Sequence, residues 1–175
     1  MSITPHVQAN AIPFRDWPAA PLKHLPGRAT SPSPHGGTDE QFITMLNGYR
    51  SSGGLARAPE IASMCQSHNG PSTYTLAQWI FKRSVVNFEW QSNIWLPLFQ
   101  FRHVDMSRQP GLEESLSELA LVYDDWDVAR WFSLPNARLA ERTPADTLSA
   151  SLPEVLNAAH AERHHAGLLA RMMLC

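Results

Sequence analysis

The stretch 93-NIWLPLFQF-101 puts Trp95, Phe99 and Phe101 within nine residues and sets Pro97 between them. Ile94, Leu96 and Leu98 fill most of the gaps. A segment this apolar is costly to leave in water, since burying a single Phe is worth about 1.5–3 kcal/mol. Pro97 has no amide hydrogen, so it belongs on the edge side of a strand or where pairing ends. Just upstream, Val86, Phe88 and Trp90 alternate with Val85, Asn87 and Glu89, the period of a strand, and Gln91-Ser92-Asn93 can turn the chain. The spacing predicts a β-hairpin. Its returning strand becomes a buried connector, with aromatics wedged between the hairpin and the C-terminal part of the chain.

Before the hairpin, "TDEQFITMLNGYRSSGG" reads as a helix. Thr38 and Gln41 have capping-box spacing, Phe42, Met45, Leu46 and Tyr49 form an apolar stripe, and Gly53-Gly54 is the stop signal. "LARAPEIASMC" predicts a second helix, "QSHNGPS" a turn, and "TYTLAQWIFKR" a third helix. The order is helix, turn, helix, then a hairpin wing, with a turn longer than the tight three- or four-residue form. Tyr74, Gln78 and Lys82 recur every four residues on one side of the third helix, and Thr75 and Arg83 extend that side. These five are the candidate DNA-contacting residues. Gln suits adenine in the major groove, and Lys or Arg suits guanine or phosphate. Charge is the opposing argument. Between Thr38 and Phe101, Arg50, Arg57, Lys82 and Arg83 are balanced by Asp39, Glu40, Glu60 and Glu89, whereas DNA modules carry a basic face.

After the hairpin the pattern is helical. Leu112, Leu116, Leu119 and Tyr123 share a face, with Glu113 and Glu114 where a helix dipole favours them. "DDWDVARWFSL" is capped by Asp124 or Asp125 and stopped by Pro135-Asn136. Thr143-Pro144 starts a short helix. Ser151 and Glu154 have capping-box spacing at the head of a final long helix.

Residues 1 to 37 differ in kind. They hold seven of the 14 prolines, ending in "TSPSPHGG", and predict a flexible arm. Two cysteines, Cys65 and Cys175, are too few for a disulfide framework or a zinc motif and fit a reducing compartment. A net charge of −2 gives no general attraction to nucleic acid or anionic lipid. No apolar run approaches the roughly 18 residues of a membrane span, and no signal-peptide pattern opens the chain. The expectation is a cytoplasmic protein without membrane partners.

Spacing across several elements then matters. Pro97, Phe99, Gln100 and Phe101 are followed by Trp126, Trp131, Phe132, Pro135, Asn136, Leu139, Pro144 and Leu148. This order resembles the toxin-binding domain of the Xre/MbcA/ParS antitoxin family over about 65 residues, in which a "P-x-FQF" strand end leads into helices. Glu141 stands where that family has a small residue. The upstream helices occupy the place of the family's helix-turn-helix region. The resemblance implies a non-enzymatic homodimer that neutralises a RES-type, NAD-consuming toxin and binds its own operator.

The expected organisation is therefore an arm (1–37), a helix-turn-helix-like module with a hairpin wing (38–101) and a helical toxin-binding-like domain (102–175). The fold class is mainly α with a small β-hairpin. The candidate partner-binding residues are Trp126, Trp131, Arg163, Leu168, Leu169, Arg171 and Met172. Against the hot-spot reading, buried aromatics are usually core. His160 and His164 are one turn apart but lack further clustered ligands, so no metal is expected. Cys65 has no paired base, and no nucleophile, acid–base pair or phosphate loop is assembled; neither catalysis nor a cofactor is expected. Two alternatives stay open: a stand-alone winged helix-turn-helix regulator, and an adaptor that has lost DNA binding.

Overall fold

The computed structural model describes residues 37–172. The expected flexible arm, apart from its last residue, lies outside the described residues. The elements are α1 (Asp39–Gly48), β1 (Leu55–Arg57), α2 (Ala58–Ser67), α3 (Thr73–Phe81), β2 (Phe88–Trp90) and β3 (Asn93–Pro97). A 3-10 turn at Leu98–Gln100 leads to α4 (Leu112–Leu119) and α5 (Asp125–Ser133). A second 3-10 turn at Ala137–Leu139 precedes α6 (Pro144–Thr147) and α7 (Leu152–Met172). The chain is mainly helical with a small antiparallel sheet.

Local chemistry sets most helix starts. The Thr38 hydroxyl accepts from the Gln41 amide at 3.3 Å, and Gln41 Oε1 accepts from the Thr38 amide at 3.1 Å, closing the capping box. Ser72 caps α3 through the Thr75 amide at 3.1 Å. Asp124, not Asp125, caps α5 through the Asp127 amide at 2.8 Å. Thr143 caps α6 through the Asp146 amide at 3.1 Å. The Ser151–Glu154 box does not form in this way: the Ser151 amide donates to Thr147 O at 2.8 Å, and Glu154 meets Arg142 at 3.1 Å.

Two boundaries differ from the pattern. α1 stops at Gly48, before the glycine pair; the Gly54 amide donates to Tyr49 O at 2.7 Å, and Gly53 and Gly54, at φ +104° and +85°, turn the chain into β1. Leu55–Arg57, expected at the head of α2, is a strand. It pairs antiparallel with β3, Leu55 opposite Pro97 and Arg57 opposite Trp95. Three residues show no period of their own, and their partner lies far along the chain. The hairpin is thus part of a three-stranded sheet, ordered β1-β3-β2, with β3 in the centre. Its loop is Gln91-Ser92, both residues at positive φ, the type I′ requirement. Pro97 is the last residue of β3, so the missing donor falls where pairing ends.

The Asn93–Phe101 segment is the wall between two hydrophobic cores. Trp95 and Phe99 face a larger core built from α1, the β2 side of the sheet and α4–α7. Ile94, Leu96, Leu98 and Phe101 face a smaller one under α2 and α3, with Ile61, Cys65 and Leu76. Within β3 the strand period of two sends Trp95 to one side and Ile94 and Leu96 to the other. The 3-10 turn at Leu98–Gln100 breaks that period, which lets Phe99 and Phe101 enter opposite cores. α1 belongs to the larger core through Phe42, Met45 and Tyr49, so the module at 38–101 and the helices after 101 share packing. Gln100 secures the wall. Fully buried, its side chain accepts from the Val86 amide at 2.6 Å and donates to Val86 O at 2.8 Å and Pro97 O at 3.0 Å, completing backbone bonds that no strand supplies.

Candidate functional site

α3 is held from below by buried Leu76 and half-buried Trp79 and Ile80. That leaves Tyr74, 72% exposed, and Phe81, 77% exposed, on its outer side with Gln78 and Lys82. Gln78 Nε2 donates to the Tyr74 hydroxyl at 2.7 Å, which fixes both side chains along the helix. Thr75 is turned toward the cap, its hydroxyl 2.9 Å from that of Ser72. Arg83 sits past the helix end at φ +54° and is engaged elsewhere: Nε meets Asp125 at 2.6 Å and Nη2 reaches Tyr123 O. Of the five predicted DNA-contacting residues, Tyr74, Gln78 and Lys82 therefore present an outward face. Thr75 serves the helix start, and Arg83 ties α3 to α5. The face is aromatic, and its cation, Lys82, forms no ion pair among the described residues.

The predicted partner-binding residues divide similarly. Trp131 is buried in the larger core, edge-on to Phe132 at 5.0 Å, and Trp126 packs edge-on to Phe88 at 5.2 Å. Their indole N–H groups point inward and meet no acceptor among the described residues. Both tryptophans are spent on packing, because α5 has one face toward α1 and β2 and must fill it. Arg163 is paired with Glu118 at 2.9 Å. Leu168 and Met172, one turn apart on α7, are 60% and 77% exposed. The side chains of Leu169 and Arg171 lie outside those described.

α7 explains that exposure. Its first half packs on α4 through buried Val155, Ala158 and Ala159. Its middle is tied by three polar contacts that sequence spacing did not reveal. The Tyr123 hydroxyl donates to Glu162, and Glu118 receives both Arg163 and, at 3.2 Å, His160 Nδ1. Arg163 above all, with His160, holds the Glu118 carboxyl below the usual range. Burial, then Glu162, raises the Tyr123 phenol, which stays a donor at neutral pH. Past Arg163, α7 runs two further turns with Leu168 and Met172 outward. These pairings join residues about 40 positions apart, and no local pattern announces them.

An open groove of about 590 Å³ lies between Trp79 and the start of α4. Its cation, Arg108, lies 5.1 Å over the Trp79 ring, and its Nη1 meets Glu113 at 3.2 Å and donates to Ser84 O, so the guanidinium is already engaged by the groove's own residues. Among the described residues no group of three or more His, Cys, Asp or Glu could hold a metal ion, and no helix is long and apolar enough to cross a membrane. Cys65 is fully buried, and burial pushes its thiol up, away from the reactive thiolate. No family model, curated protein or solved structure matches this chain.

Proposed function

We propose that this is a non-enzymatic, antitoxin-like cytoplasmic protein that binds and neutralises a protein toxin of the RES type and regulates its own synthesis through DNA. The observation that carries the binding half is the far part of α7, two helical turns with outward Leu168 and Met172 beyond the Glu118–Arg163 pair. A Leu/Met stripe on a projecting helix suits insertion into an apolar groove, because methionine adapts its shape to the surface it meets. The resemblance around Pro97, Gln100, Pro135 and Pro144 supplies the toxin class.

A second reading, a stand-alone winged helix-turn-helix regulator, is favoured by one observation. The order α1-β1-α2-α3-β2-β3, with the sheet ordered β1-β3-β2, supports it: a hairpin follows an outward α3 that carries Tyr74, Gln78 and Lys82, as a wing would. Expression of the adjacent open reading frame separates the two. The antitoxin reading predicts that its product arrests growth alone, is harmless beside this protein, and co-purifies with it. A harmless product that does not co-purify, together with salt-dependent binding of this protein to its upstream DNA, overturns that reading in favour of the regulator.

A further inference from the structure

We propose that α1 is a self-pairing surface, through which two copies of this chain associate with their α1 helices antiparallel. The motive is a stripe that the core does not use. Ile43 is 55% exposed and Leu46 41%, while Phe42, Met45 and Tyr49 of the same helix are buried. Exposed Asp39 and Arg50 flank that pair. At about 100° per residue, Asp39, Ile43, Leu46 and Arg50 fall within a sector of about 60°. Arg50 continues the helical path, since Tyr49 keeps right-handed geometry and the Arg50 amide donates to Asn47 O at 3.2 Å. Neither Asp39 nor Arg50 takes part in an ion pair among the described residues.

The occupant is set by the register. Asp39 and Arg50 are equidistant from the point midway between Thr44 and Met45, and so are Ile43 and Leu46. A two-fold axis through that point sets Asp39 of one copy against Arg50 of the other, twice, and Ile43 against Leu46, twice. Each contact is then its own symmetry mate, as a closed isologous pair requires. Opposite charges at the two ends favour the antiparallel arrangement and disfavour the parallel one, in which like charges meet. The helix is short, so the contact is smaller than a standard interface and the pair is weak.

The experiment is sedimentation equilibrium of the full chain over a wide concentration range, with circular dichroism to establish that each variant is folded. The wild type self-associates. Asp39→Arg and Arg50→Asp each set like charges opposite one another and weaken association about tenfold or more. An equimolar mixture of the two variants restores association, because every facing pair is again opposite in sign, and the double variant D39R/R50D restores it within one chain. A monomeric wild type overturns the proposal. So does a dimer indifferent to both reversals, or single variants that do not complement each other when mixed. None of these outcomes depends on whether a toxin is bound, so this proposal and the functional one fail separately.

Discussion

The outer face of α3 and the far end of α7 are both open to solvent, for different reasons. α3 is pinned along its inner side by Leu76, Trp79 and Ile80, and its outer residues are spaced by the helix and by the Gln78–Tyr74 bond. The last two turns of α7 project past the Glu118–Arg163 tie. The first is a rigid face whose residues can change only what they touch. The second carries the outward Leu168 and Met172. Binding through each therefore leaves a different signature, and stability separates them.

α3 packs on the smaller core and the first half of α7 on the larger, and the Asn93–Phe101 wall lies between those cores, so the largest effect is expected there. Gln100→Leu leaves the Val86 amide and the Val86 and Pro97 carbonyls buried without partners. Each costs about 1–3 kcal/mol, so urea denaturation should show a loss of at least about 3 kcal/mol. Phe99→Ala, in the larger core, and Phe101→Ala, in the smaller, should each cost roughly 3–5 kcal/mol. If Phe101→Ala lowers the protection of α2 and α3 amides from hydrogen exchange but leaves α4 and α7 unchanged, the wall does not couple the two cores.

A smaller change tests α3. Lys82→Ala should reduce the salt dependence of DNA binding by about one phosphate contact, and leave the melting midpoint and partner capture unchanged. Lost capture would move the protein interface to α3 and dissolve the contrast with α7.

The smallest effect concerns the tie at the middle of α7. Because the folded Glu118 carboxyl titrates below its unfolded value, its stabilisation is fully present above about pH 5 and is lost as pH falls through the lowered folded value. Arg163 and His160 are about half exposed, so solvent screening keeps the contribution below about 1 kcal/mol. Glu118→Gln should shave that amount at pH 7 and flatten the acid limb of the stability curve, as read by chemical denaturation at several pH values. An unchanged acid limb would mean that the tie contributes nothing.

Local signals were legible in the sequence wherever a residue's partner is near in the chain. Thr38, Asp124 and Thr143 all cap helices, and the alternation from Val86 onward locates the hairpin. The apolar density of Asn93–Phe101 marked it as a buried connector, and it packs against both cores. What escaped was set by distant partners. β1 exists because β3 is there to pair with it, and Arg83 left the outer face of α3 because Asp125 is within reach. Trp131 had the composition of a hot spot and the position of a core residue, a distinction that only packing makes.

The central claim is that the far end of α7 binds a protein partner while the body folds without it. The direct measurement compares the full chain with one ending at Ala166, in thermal melts and in co-purification with the product of the adjacent gene. The expected result is a folding stability unchanged within about 0.5 kcal/mol, since Leu168 and Met172 are outward, together with loss of the partner. A truncated chain that still captures the partner would contradict the claim, and one that no longer folds would show that the end of α7 belongs to the body.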